Sequence, residues 1–295
     1  MLPDLPLDPT PRPDMVSRQI VKVEPHGGCQ AQDLLAVEEP LEIRLCFGPA
    51  RSRQRQTISL TMRTPGRDRE LAAGFLFTEG IIEGTEQVAE IRSGEPGDGS
   101  KTQRNVVRVE LREDVAVDLG RLQRHFYTTS SCGVCGKTSL EALAVAADRS
   151  AVTTHLQVVS EVLFRLPGAL RAAQDVFGRT GGLHAAAFFN PEGLLLDVRE
   201  DVGRHNALDK LIGAQLLADK VPVQEVILLL SGRASFELLQ KAFMAGVPLV
   251  AAVGAPSSLA VELAQQFGIT LVGWLRGERF SIYSHPERIR MPLGS

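Results

Sequence analysis

The sequence has no apolar run long enough to cross a bilayer. Its longest, VILLL at 226–230 and VPLVAAVGA at 247–255, are too short, and Pro and Gly interrupt them. A membrane role is therefore not expected. Charge of one sign is also missing: the net charge is −3 with a charged fraction of 23%, which argues against nucleic acid as the main partner. The N-terminus, MLPDLPLDPTPRPD, lacks the basic start and the apolar core of roughly 7–15 residues that a signal peptide carries. Its prolines predict a disordered tail over residues 1–16 and a cytoplasmic protein. Cysteine is scarce, four in the chain, and a disulfide framework would not persist in that compartment. Cys29 and Cys46 stand alone and are given no chemical role.

What is present suffices for two domains: 295 residues, 44% of them hydrophobic. Residues 17–127 read as an α+β unit. LEIRLCF (41–47) and TISLTMR (57–63) are expected strands joined by a basic turn, and DRELAAGFLFTEGII (68–82) is an expected helix closed by Gly80. SGEPGDGSKTQ (93–103) reads as a Gly-rich loop and NVVRVEL (105–111) as a half-buried strand. A loop at 128–137 leads to a second unit, 138–295, that begins with a helix at TSLEALAVAA (138–147). A strand hairpin over 185–198 and a helix over 206–219 follow. Strands at 225–230, PLVAAV and TLVGW (270–274) then alternate with the helices FELLQKAFMAG and LAVELAQQFG. The fold class is α/β, and such βα units imply a largely parallel sheet whose strand ends hold the ligand loops.

The chain's only close cysteine pair, Cys132 and Cys135, lies in SSCGVCGKTS (130–139). Two thiols three positions apart on a polar segment point to sulfur chemistry or metal binding. A structural zinc needs four ligands, and no second pair exists, with only His125 nearby, so no metal is expected. A dithiol oxidoreductase would place the pair at a helix start, which 138–147 could supply, but RLQRHFYTTSS is too polar for the buried strand that feeds such motifs. A sulfur-carrying cysteine on a loop, its thiolate favoured by Lys137 and a helix N-terminus, is the third reading.

SGRAS (231–235) follows a buried strand and opens a helix, so Ser231, Arg233, Ser235 and backbone N–H groups converge where an anion would sit. GAPSS (254–258) repeats the geometry, and no P-loop GKS is present. WLRGERFSIY (274–283) offers Trp274, Phe280 and Tyr283 for stacking a base, with Arg276 and Arg279. TGGLHAAAF (180–188) places His184 after a Gly-Gly turn; zinc deaminases carry H-x-E there, but Ala186 fills the Glu position. REDVGRHNALDKLIG (199–213) packs Arg199, Glu200, Asp201, Arg204, His205 and Asp209 around a helix start, more charge than capping needs.

Taken in order, ELAAGFLFTEGII, SSCGVCGK, TGGLHAA, REDVGRHNALDKLIG, LSGRASFELLQKA and GAPSSLAVELA resemble the FdhD family of formate dehydrogenase accessory sulfurtransferases, from about Val16 to Pro286. The resemblance implies a cytidine-deaminase-like C-terminal domain. It also implies a sulfurtransferase that takes persulfide sulfur from a cysteine desulfurase and passes it to the molybdenum bis(molybdopterin guanine dinucleotide) cofactor for its client, formate dehydrogenase. On it, Cys132 carries the persulfide and Cys135 is the second thiol. The guanine dinucleotide maps to Trp274, Leu275, Arg276, Gly277, Glu278 and Arg279, to which the loop residues Ser231, Arg233, Ser235 and His184 are added. Two guanine ends suit a homodimer. A dithiol oxidoreductase and a non-catalytic chaperone of the cofactor are the alternatives.

Overall fold

In the computed structural model, which describes residues 13–94, 104–117 and 155–291, the chain opens on a hairpin that no motif marked. β1 (Met15–Glu24) pairs antiparallel with β2 (Gly27–Ala36), in register from Met15 opposite Ala36 to Glu24 opposite Gly27. Most of its residues are exposed, Val21 and Val23 among them, so the alternation that identifies a half-buried strand is missing. β1 begins at Met15, inside the stretch read as a tail.

The following strands obey the period of two. β3 (Glu39–Phe47) buries Leu41, Ile43, Leu45 and Phe47 on one face and pairs antiparallel with β4 (Gln54–Arg63). α1 (Asp68–Thr78) carries Asp68 and Glu70 in its first turn, where the helix dipole favours acids. It ends one turn before residue 82 because Gly80, at φ 67°, closes a Schellman turn. The Gly80 N–H donates to Phe77 O at 2.9 Å and the Ile81 N–H to Leu76 O at 2.8 Å. β5 (Val88–Ser93) and β6 (Val106–Leu111) complete a four-stranded sheet of order β4-β3-β6-β5, with β3 and β6 parallel.

Beyond residue 154, β7 (Val158–Val159) leads into α2 (Ser160–Ala173) and the short α3 (Asp175–Thr180), none of which the sequence reading assigned. The second sheet contains β8 (His184–Phe189) and β9 (Leu195–Asp201), then α4 (Arg204–Leu217), β10 (Ile227–Leu230), α5 (Phe236–Met244), β11 (Leu249–Ala252), α6 (Ser258–Gln266), β12 (Thr270–Arg276) and β13 (Arg279–Ser284). A two-residue β14 (Ile289–Arg290) pairs with β7. The strand order is β13-β12-β11-β10-β8-β9. Only the β10–β11 and β11–β12 neighbours pair parallel; β9 also runs in their direction and reaches β10 through α4, but β8 lies between them and pairs antiparallel with both, as β13 does with β12 after a tight turn. The largely parallel sheet read from the sequence is thus a mixed one.

Both faces of this sheet are covered, which is why its central strands are uninterrupted apolar runs. Along β10, Leu228 and Leu230 face α4, α5 and α6, whereas Ile227 and Leu229 face α2. The first of these cores is continuous with that of the four-stranded sheet, from Leu41 and Val109 through Leu76 and Leu211 to Val250 and Leu271. The units read as 17–127 and 138–295 therefore share one interior. Their seam is a helix crossing at Gly74 of α1 and Gly213 of α4. A Cβ on Gly74 would stand 1.9 Å from Asp209 O, and one on Gly213 would stand 1.9 Å from Glu70 O. Among the described residues no helix is long and apolar enough to cross a membrane. CGVC, the helix expected over 138–147 and residues 95–103 of the Gly-rich loop lie outside the described residues.

Candidate functional site

Because β8 is antiparallel to both β9 and β10, the C-terminal ends of β9, β10, β11 and β12 all lie on one edge of the sheet, where β8 and β13 begin. That edge collects His184, the start of α4, the loops 231–235 and 253–257, and the turn between β12 and β13. Ligands bind at such edges in open α/β sheets.

Backbone bonds lace the loops together. Gly254 N–H donates to Gly232 O at 2.8 Å, Ala234 N–H to Ala255 O at 3.2 Å, Ser257 N–H to Ala234 O at 3.0 Å and Trp274 N–H to Gly254 O at 3.0 Å. Glycine is needed at one crossing in particular: a Cβ on Gly254 would lie 2.9 Å from Gly232 O. The serines divide by task. Ser231 Oγ accepts from Ala185 N–H at 2.8 Å and so extends the β8–β10 ladder, and Ser257 Oγ caps α6 by accepting from Ala260 N–H at 3.3 Å. Ser235 stands at the equivalent cap of α5, but its hydroxyl does not accept from the helix. Arg233 is exposed and makes no ion pair among the described residues.

At the other end of the edge Trp274 is 46% exposed and holds φ 55°, a left-handed conformation that costs a bulky residue energy. A bulge between Gly273 and Arg276 produces it. The Arg276 guanidinium lies 5.1 Å from the Trp274 ring centroid while its Nε donates to Val253 O at 3.0 Å. Gly277, Glu278 and Arg279 form the exposed turn, whereas Leu275 is fully buried in the α2-side core. Phe280 and Tyr283 do not join Trp274. Phe280 packs on Phe164 with ring centroids 5.3 Å apart and Tyr283 on the opposite core, since strand alternation sends them to different faces. The aromatic trio is therefore a single ring.

The charge-dense segment 199–213 separates into structural and unspent groups. Asp201 is fully buried, 2.6 Å from Lys210 Nζ, and accepts from the N–H groups of Thr64 at 3.2 Å and Gly203 at 2.9 Å. Lys210 also donates to Thr64 O at 2.8 Å. Arg199 pairs with Glu70 and Asp197, and Glu200 accepts from the N–H groups opening α3, its carboxyl pushed up by burial. Asp209 meets Lys241 at 3.1 Å and the Thr78 hydroxyl at 2.8 Å. Thr64, Glu70, Thr78 and Lys241 bring partners to this segment from elements distant in sequence. Lys241, Glu79 and Thr78 went unnoticed in the sequence, although a lysine at position 241 within the largely apolar helix FELLQKAFM was an available signal.

Arg204, His205 and His184 remain. Burial, then the Arg204 charge, holds the His184 imidazole below its ordinary range, with Asp201 opposing. Burial with Arg204 and Lys241 pushes His205 down to about 4. Both imidazoles are neutral near pH 7. The edge thus presents one stacking ring with an arginine over it, two loops rich in backbone donors, and a second basic corner at α4, an arrangement suited to an elongated anion with an aromatic end. Cys132 and Cys135 lie outside the described residues. Among the described residues no three His, Cys, Asp or Glu side chains group as a metal site.

A family model described as the FdhD/NarQ family matches residues 36–290. The chain is 49% identical over 276 residues to the sulfur carrier protein FdhD of Nocardia farcinica, covering 92% of this chain and 94% of that protein. It is 52% identical over 263 residues to the protein of that name from Mycolicibacterium paratuberculosis, covering 87% and 92%. Against that from Saccharolobus solfataricus it is 41% identical over 270 residues, covering 92% and 96%. A solved structure from Desulfotalea psychrophila, described as a formate dehydrogenase accessory protein, superposes with a TM-score of 0.72 at 24% identity, covering 94% of this chain and all of the other.

Proposed function

The chain belongs to the FdhD/NarQ family, and from that premise we propose that it is a sulfurtransferase that carries sulfane sulfur on Cys132 to the molybdenum bis(molybdopterin guanine dinucleotide) of formate dehydrogenase. In the loading step the Cys132 thiolate attacks the outer sulfur of a cysteine desulfurase persulfide. The S–S bond of the donor breaks, the donor departs as thiolate, and Cys132 keeps the sulfur as its own persulfide. Cys135 serves as the second thiol. The molybdenum cofactor is the substrate, held by its guanine and phosphate parts, and the protein works in the cytoplasm as a homodimer with one guanine end per subunit.

The observation that supports this reading best is the exposed Trp274 in a strained conformation beside Arg276, on the edge that also carries Arg233 and Ser235. A base stacked on such a ring contributes roughly 1–3 kcal/mol, and the two loops supply donors for phosphate oxygens.

Incubation with a cysteine desulfurase and cysteine, followed by mass spectrometry of the Cys132 peptide, tests the proposal. One added sulfur is expected, and its absence would sink the reading. Complementation of a formate dehydrogenase defect with Cys132→Ser and Cys135→Ser separates the alternatives. A dithiol oxidoreductase fails equally with either change, and a non-catalytic chaperone survives both.

A further inference from the structure

Buried polar atoms are almost always hydrogen-bonded. Five side-chain atoms among the described residues are not: Arg108 Nε, Gln174 Nε2, Arg204 Nε, His205 Nε2 and Ser235 Oγ. Three of the five meet where α4 and α5 begin. Glu237, in the first turn of α5, has its Oε2 4.0 Å from His205 Nε2; against burial, its own backbone N–H, then the Ser235 hydroxyl, His205 and Arg204 hold its carboxyl below the usual range. The Arg204 charge also reaches His184 across the corner.

Among the described residues, the nearby carboxylates that could neutralise Arg204 are committed elsewhere. Asp201 is held by Lys210, Asp209 and Glu79 by Lys241, and the first turn of α4 contains no acid. Glu237 is largely exposed, and Arg204 forms no ion pair with it or with any other described residue. A guanidinium donates only, so the group that pairs with the partly buried Arg204 must be an acceptor, and its planar fork best matches a carboxylate or phosphate oxyanion. Ser235 adds an O–H that faces the Glu237 carboxylate and can turn to an incoming oxyanion, and the neutral imidazole of His205 can supply an N–H. The corner spans the edge between the ends of β9 and β10: β10 lies two strand spacings from β12, about 10 Å, and β9 four, about 19 Å, so Ser235 stands between Arg204 and the Trp274 end.

We propose that Arg204, Ser235 and His205 form a second oxyanion subsite on the sheet edge, one that takes a phosphate or pyrophosphate group. It rests on the reading of this edge as a nucleotide site and deepens it: a polyanionic dinucleotide is gripped at two separated points, the aromatic end at Trp274 and an anionic group at Arg204.

Calorimetric titration of the full chain with inorganic pyrophosphate, GDP and guanosine tests this. Pyrophosphate binding that weakens about tenfold or more in Arg204→Gln and partly recovers in Arg204→Lys is the expected result. In the wild type, pyrophosphate also raises the NMR titration midpoints of His184 and His205. The groups facing these rings are Arg204 and Asp201 for His184, and Arg204, Lys241, Glu237 and Glu79 for His205. Unchanged pyrophosphate affinity in a folded Arg204→Gln overturns the proposal. If that variant does not fold, histidine signals indifferent to pyrophosphate in the wild type overturn it equally. Guanosine binding tracks Trp274 and not Arg204. A wild type that binds pyrophosphate and GDP equally well through Arg204 and does not bind guanosine keeps the subsite and removes the guanine reading.

Discussion

Lys241 Nζ lies 3.1 Å from Asp209 Oδ1, and both side chains are sealed from solvent where α1, α4 and α5 meet. Glu79 at 2.8 Å and the Thr78 hydroxyl at 2.9 Å complete the ammonium's partners. One cation therefore serves two carboxylates. Lys241→Met leaves Asp209 buried without a counter-charge, and a loss of about 3–5 kcal/mol is expected. Urea unfolding measures it; a loss below about 1 kcal/mol would show that the network does not hold the seam.

Asp209 and His205 pull the pH dependence of stability in opposite directions. Desolvation pushes the Asp209 carboxyl up to about 6, so the folded chain keeps a proton that the unfolded chain has lost. Its contribution therefore falls as pH rises from about 4 to about 6. His205, pushed down to about 4 by burial, does the reverse: its contribution is complete above about 6.5 and is lost as pH falls toward about 4. Asp209→Asn is expected to give a steeper rise of stability with pH across this window than the wild type, and His205→Gln a flatter one. Urea midpoints collected between pH 4 and pH 7 decide, and three parallel profiles would contradict the assignment.

Gly74→Ala improves helix propensity by about 1 kcal/mol and yet is expected to destabilise by roughly 3 kcal/mol, because the added methyl meets backbone at Asp209 O. Gly168→Ala in α2 is the control. Nothing lies within 4 Å of its added Cβ, so about 0.5–1 kcal/mol of stabilisation is expected. Equal thermal shifts of the two variants would remove the close crossing as an explanation for Gly74.

Trp274→Gly separates folding from binding. The change relieves left-handed strain and loosens the unfolded chain by similar amounts, so stability should stay within about 1 kcal/mol. Guanosine affinity should fall by about 5- to 150-fold, the worth of one stacked base. A destabilised variant with wild-type affinity would make the ring a packing element.

The sequence revealed what repeats locally and hid what is assembled at distance. ILLL and LVAA read as strands because both faces are covered, and SGRAS and GAPSS read as ligand loops because strand, turn and helix follow within a few residues. The β1–β2 hairpin was illegible since nearly all of it is exposed, and α2 was masked by Pro167 and Gly168 in its middle. Within 199–213 nothing local distinguishes Asp201 from Arg204. The distinction lies in Thr64, which meets Asp201 from 137 residues away, and in the absence of any such partner for Arg204 among the described residues. Phe280 and Tyr283 looked equivalent to Trp274 until strand alternation turned them inward.

The close crossing of α1 and α4 also sets a schedule for synthesis. α1 is complete at Thr78, and the helix that seals its glycine face begins at Arg204, about 126 residues later. At about 5–20 residues per second the ribosome needs about 6 to 25 s to supply it. Throughout that interval the nascent N-terminal unit presents an uncovered apolar helix, so chaperone dependence should concentrate in the first third of the chain.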